Sequence, residues 1–96
     1  MQEAAPGVLS RDLQIVNKRG LHARAAARFV QCAERYDAEI TVSKDSTTVG
    51  GTSIMGLMML AASPGSMIRV TAEGPEADAA LSALAELVLT RFGEEE

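Results

Sequence analysis

The sequence has no tryptophan, one cysteine, one histidine and three aromatic residues in all. Each scarcity removes a class of function. A lone Cys32 cannot close an internal disulfide, which excludes a disulfide scaffold and fits a reducing, cytoplasmic compartment. One histidine and one cysteine without ligand spacing point away from a metal site, and no cofactor is expected. Phe29, Tyr36 and Phe92 are too few for a base-stacking platform, so nucleic acid is not an expected partner. The longest apolar run, Ile54 to Ala62 with glycine counted, falls far short of the ~20 residues of a membrane helix. No membrane association is expected. The opening MQEAAPGV has neither a basic region nor an apolar stretch of the kind that marks a signal peptide.

What is present describes one small globular domain. The 96 residues are 47% hydrophobic and 23% charged, with net charge −4. That length accommodates one core and leaves a thin stability margin. The charge is uneven. Lys18, Arg19, Arg24, Arg28 and Arg35 face one acid, Glu34, in the same stretch, whereas seven acids and one base, Arg91, follow from Glu73 onward. A basic patch opposite an acidic end suggests a face for an anionic group or acidic partner.

Periodicity divides the chain. Residues 1–8 are expected to be a flexible arm. Leu9, Arg11, Leu13 and Ile15 alternate as a strand, closed by Asn17-Lys18-Arg19-Gly20. Ala23 to Arg35 is Ala-rich, with Ala26, Phe29, Val30 and Ala33 on one helical stripe and Arg24, Arg28, Gln31 and Arg35 opposite. Glu39 to Ser43 and Thr47 to Val49 read as a hairpin. Thr52 and Ser53 offer capping hydroxyls to a short helix, Ile54 to Ala61, with Leu57, Leu60 and Ala61 inward. Ile68, Val70 and Ala72 alternate as a fourth strand. Ala77, Leu81, Leu84 and Val88 make the stripe of a last helix, and residues 93–96 are an acidic, solvated tail. The order β-α-β-β-α-β-α, with residues 9–92 as a single domain, predicts an α+β fold: a four-stranded antiparallel sheet covered on one face by three helices.

The chemistry concentrates at Gly20-Leu21-His22-Ala23-Arg24. A helix N-terminus has unpaired N–H groups and about half a positive charge, which suits an anion and disfavours an imidazolium. The ring is then a neutral nucleophile. Arg24 brings a planar fork of donors for phosphate oxygens, and the Ala23 and Arg24 N–H groups would cradle them. The same pattern also suits a plain capping histidine, and local physics leaves both readings open. A Cys32–His22 pair is disfavoured, because ten helical residues span ~15 Å. Met55, Met58 and Met59 cannot all be buried on one short helix. They form either an adaptable docking patch or a core wrapped by loops.

The run Gly20-Leu21-His22-Ala23-Arg24 resembles the active-site signature of HPr, the histidine-containing phosphocarrier family of the bacterial phosphotransferase system. Thr52-Ser53-Ile54-Met55-Gly56 resembles that family's regulatory-serine segment, and the His22 to Ser53 spacing fits. The resemblance runs from about Leu9 to Arg91. It implies an open-faced β-sandwich with spatial strand order 1-4-2-3. His22 would accept a phosphoryl group on Nδ1 from phosphorylated enzyme I and pass it to a IIA-type domain, with Arg24 assisting. Ser53 would be the target of HPr kinase/phosphorylase in bacteria that have one. Ala27, Ile54, Met55 and Met58 would be the apolar docking surface. Ala25 departs from the pattern, since the family often has proline there; an Ala-rich run at this point also occurs in the nitrogen-related branch. The alternative is a non-catalytic regulatory interaction module of the same fold. A small acid–base enzyme is disfavoured, since the spacing sets no second titratable group near His22.

Overall fold

The computed structural model describes residues 2–5 and 7–94. Its sheet contains β1 (Gln2–Ala5), β2 (Val8–Gln14), β3 (Glu39–Lys44), β4 (Thr47–Gly50) and β5 (Met67–Glu73). Its helices are α1 (Ala23–Ala33), α2 (Ile54–Met59) and α3 (Ala77–Leu89), followed by a 3-10 turn at Arg91–Gly93. All strand pairs are antiparallel, in the order β1-β2-β5-β3-β4. The four expected strands therefore form as expected, with the last in sequence inserted between the first and the hairpin. Among the described residues no helix is long and apolar enough to cross a membrane.

The sheet differs from expectation at its edge. Gln2–Ala5, inside the segment expected to be an arm, pairs with β2 through Gln2↔Ser10 and Glu3↔Leu9, with a bulge before Ala5↔Val8. No hydrophobic alternation announces this strand. It forms on main-chain hydrogen bonds to the otherwise open edge of β2, a force that periodicity does not encode.

In β3 and β5 the alternation is obeyed. In β5, Ile68, Val70 and Ala72 are buried while Met67, Arg69 and Glu73 face solvent. Leu13 from β2 and Ile15 just beyond it, with Ile40 and Val42 from β3, join them on the covered face. A one-residue slip would turn this whole set outward, so the register is strongly specified. On the open face, Asp12 and Arg69 are direct cross-strand partners joined at 2.8 Å. They are exposed and water-screened, so they mark the register more than they stabilise it.

The helices lie over that apolar face. Helix α1 buries Ala26, Phe29, Val30 and Ala33 as the stripe predicts, and Ala25 as well. Helix α3 adds Ala80 and Ala85 to its expected stripe. Helix α2 is shorter than expected. It ends at Met59, Ala61 takes a left-handed conformation (φ 51°) and is exposed, and Ala62 is buried in its place. The backbone turn, rather than Pro64, stops the helix two residues early and rotates Ala61 outward.

Phe29 is fully buried at the centre of this packing. Phe29→Ala is expected to cost ~3–5 kcal/mol, read as a drop in the urea unfolding midpoint at unchanged slope; a loss under ~1 kcal/mol would contradict a close-packed α1.

Candidate functional site

The segment before α1 is tied to the segment after α2. Leu21 N–H donates to the Ala62 carbonyl at 2.9 Å, Ile15 N–H to Ser66 O at 2.9 Å, and Gly65 N–H to Ile15 O at 2.8 Å. Gly20 has φ +69°, and a Cβ there would lie 2.6 Å from the Ala62 carbonyl oxygen. Only glycine fits both the backbone angle and the close approach. These contacts hold the start of α1 against the segment that follows α2. His22 follows the anchored Leu21 directly, and α2 ends just before Ala62.

His22 is the N-cap of α1. Its backbone is extended (φ −81°, ψ −178°), and its Nδ1 accepts from the Arg24 N–H at 3.2 Å. The ring substitutes for the Ser, Thr, Asp or Asn more usual at this position. The His22 side chain is 20% exposed. Ala23 and Arg24 are both exposed at the helix mouth, and Ala27 one turn on is half-buried. Helix α1 has no acid in its first turn to neutralise the positive end.

The opposite side of the ring meets an unexpected partner. His22 Nε2 lies 2.5 Å from Glu94 Oε2, and Glu94 Oε1 accepts from Asn17 Nδ2 at 3.0 Å. Asn17 is fully buried, and its Nδ2 also donates to the Gly20 carbonyl at 2.8 Å. Its amide is thus committed as a double donor, while its Oδ1 has no partner among the described residues. Burial pulls the Glu94 carboxyl upward. The hydrogen bonds from Asn17 and His22 and the charges of His22 and Arg19 outweigh that, and it lies below the usual glutamate value. The expectation of a solvated tail at residues 93–96 fails for Glu94, whose side chain is only 13% exposed. Glu95 and Glu96 lie outside the described residues.

The cause is the turn beyond α3. Arg91 and Phe92 both have positive φ, 61° and 54°. Phe92 is fully buried, and its carbonyl accepts from Arg28 Nη1. Arg28 is therefore half-buried and engaged, rather than a free member of the basic face. The buried phenyl ring and this hydrogen bond reverse the chain and aim Glu94 at His22. The only sequence signal for this was Phe92, an aromatic just before the acidic run, and its burial does not announce where the next side chains go.

Ser53 is the N-cap of α2, its Oγ accepting from Gly56 N at 3.0 Å. Beside it, Ile54, Met55, Met58 and Met59 are exposed, Met55 and Met59 each 74%, while Leu57 is fully buried. Of the two readings of the methionines, the solvent-facing one holds. Cys32 is half-buried, and burial pushes its thiol up despite Arg35, which suits a helix filler more than a nucleophile.

Comparison with known proteins follows the same residues. The family model described as "PTS HPr component phosphorylation site" matches residues 9–89. The chain is 44% identical to the phosphocarrier protein HPr of Neisseria meningitidis over 89 residues, covering 93% of this chain and 100% of that one. It is 42% identical to the phosphocarrier protein NPr of Shewanella violacea, over 90% and 94% of the two chains. The crystal structure of HPr-C-His from Thermoanaerobacter tengcongensis superposes with a TM-score of 0.87 at 43% identity, covering 92% of this chain and 99% of that one.

The clamp at Gly20 is directly testable. Gly20→Ala is expected to lower stability by ~2 kcal/mol, from the left-handed backbone penalty alone or more with the carbonyl clash. An unchanged urea midpoint would show that the loop is not held against Ala62.

Proposed function

Since the chain belongs to the HPr family, the phosphocarriers of the phosphotransferase system, we propose that His22 Nδ1 is the atom that carries the phosphoryl group. The observation that supports this most is the hydrogen bond from Arg24 N–H to Nδ1. That bond makes Nδ1 the acceptor nitrogen and turns its lone pair toward the electropositive end of α1. The incoming group meets a nucleophile already at an anion site.

In the step itself the Nδ1 lone pair forms the N–P bond, and the phosphorus–donor bond breaks with its electrons leaving on the donor. The donor is phosphorylated enzyme I, and the acceptor of the return step is a histidine of a IIA-type domain. Backbone N–H groups of Ala23 and Arg24 receive the phosphate oxygens. The exposed Arg24 guanidinium neutralises them, a role in which a preorganised cation contributes through charge rather than proton transfer. The ring is partly open to solvent and the site is shallow. Nothing encloses the phosphate, so a partner can both protect and remove it. The chain acts as a substrate of its partners rather than as an autonomous catalyst.

Ala27, Ile54, Met55 and Met58 form the docking surface. Unbranched methionine side chains repack against different partners at small cost. Ser53 is the regulatory site, addressed by HPr kinase/phosphorylase where the host has one. A phosphate there would add about −1.5 to −2 charge at pH 7. Placed on the cap of α2, it meets a helix N-terminus and leaves the fold intact, while charging the rim of the apolar patch. Residence in the cytoplasm fits this set of partners.

Incubation with enzyme I and labelled phosphoenolpyruvate is expected to give acid-labile, alkali-stable label that is absent from His22→Ala. Label that persists in that variant, or no label on the unaltered chain, would reject the carrier and favour the regulatory module. Arg24→Glu should slow transfer ~100-fold at nearly unchanged melting temperature, whereas a collapse of the fold would make Arg24 structural. With purified HPr kinase, Ser53→Ala should take up no phosphate, and continued uptake would refute the regulatory assignment.

A further inference from the structure

The two nitrogens of His22 face opposite charges. Nδ1 faces the Arg24 N–H at the open end of α1, and Nε2 faces the Glu94 carboxylate at 2.5 Å. Because Nδ1 accepts a hydrogen bond, the ring proton belongs on Nε2, where it is donated to Glu94. Neither carboxylate oxygen is idle, since Asn17 Nδ2 occupies the other at 3.0 Å. Asn17 is itself fixed by full burial and by its bond to Gly20 O. The main chain delivering Glu94 is pinned by the buried Phe92 ring and by Arg28, and Glu94 N–H closes back on Arg91 O at 2.9 Å. The contact is therefore braced from both ends and does not depend on a chance excursion of a polar terminus.

We infer that Glu94 is a positioning residue for phosphoryl transfer: it holds His22 as the Nε2–H form, leaves the lone pair on Nδ1, and offsets the positive charge that the ring acquires when Nδ1 binds phosphorus. The inference rests on the reading of His22 as the phosphoryl carrier. The step balances without a proton leaving. Nδ1 contributes its electron pair to the new N–P bond, the donor departs with the pair of the broken bond, and Nε2 keeps its hydrogen. The ring is then cationic, and its charge falls beside Glu94. On transfer to the next protein the pair returns to Nδ1 and the ring is again neutral. A carboxylate that orients a histidine through its far nitrogen is a recurrent device for fixing tautomer and ring direction. Here the carboxylate lies on the Nε2 side, between the ring and Asn17, so it does not stand between Nδ1 and an arriving phosphate.

Glu94→Gln keeps the size and removes the charge; Glu95→Gln removes the same charge one residue on and serves as the control. With enzyme I and phosphoenolpyruvate, kcat for Glu94→Gln is expected to fall ~10-fold at unchanged KM for the carrier. The 15N shifts of the two His22 ring nitrogens should move in that variant, because the partner of Nε2 has changed. Glu95→Gln should match the unaltered chain in both readouts. An unchanged rate, a faster rate, unmoved ring shifts, or an equal loss in Glu95→Gln would each overturn the inference. These failures differ from failure of the carrier reading, which would appear as no His22-dependent label on the unaltered protein.

Discussion

Everything in the site depends on an N-terminus of α1 that no side-chain hydroxyl or carboxylate has closed. A helix begins with unpaired N–H groups and a positive field, and most proteins satisfy them with Ser, Thr, Asp or Asn. Here the cap is an imidazole whose Nδ1 accepts from the Arg24 N–H. One interaction completes the helix and, on the proposed reading, aims a nucleophilic nitrogen into an anion site. The remaining structure keeps that cap where it is. Gly20 allows the loop to press against Ala62, Leu21 hydrogen-bonds to the same carbonyl, and the covered face of the sheet holds α1 down through Phe29 and its neighbours.

The second requirement is exchange. A carrier must hold its phosphate while meeting several proteins in turn, which argues against a deep pocket. The structure offers a partly exposed ring and a short helix with one face buried through Leu57 and the other left to Ile54, Met55, Met58 and Met59. In the proposed docking role, such a surface would gain affinity by apolar burial and adapt by rotamer change. Ala25, where the resembling family often has proline, is wholly buried in the first turn. Its methyl packs into the core, and the helix starts correctly without the preset backbone angle.

The elements ruled by side-chain periodicity were legible in the sequence. The four expected strands, the α1 stripe of Ala26, Phe29, Val30 and Ala33, and the α3 stripe of Ala77, Leu81, Leu84 and Val88 came from spacing alone. So did the placement of His22 at a helix start, while Ser53 was one of two capping hydroxyls offered, beside Thr52. What escaped was governed by the main chain or by distant contacts. Strand β1 is held by backbone pairing with no apolar pattern. Ala61 was expected inward and lies outward because α2 stops in a left-handed turn. Glu94 is 72 positions from His22 and belongs to a run of acids that composition marks as solvated. Its place is set by two positive-φ residues and a buried phenyl ring, neither of which has a periodic signature.

The account turns on which ring nitrogen bonds to phosphorus. The most direct measurement is 15N–31P coupling in His22 of the phosphorylated, 15N-labelled protein. The account predicts coupling at Nδ1, with the hydrogen retained on Nε2. Coupling at Nε2 instead would contradict it, because that nitrogen faces Glu94 rather than the open end of the helix.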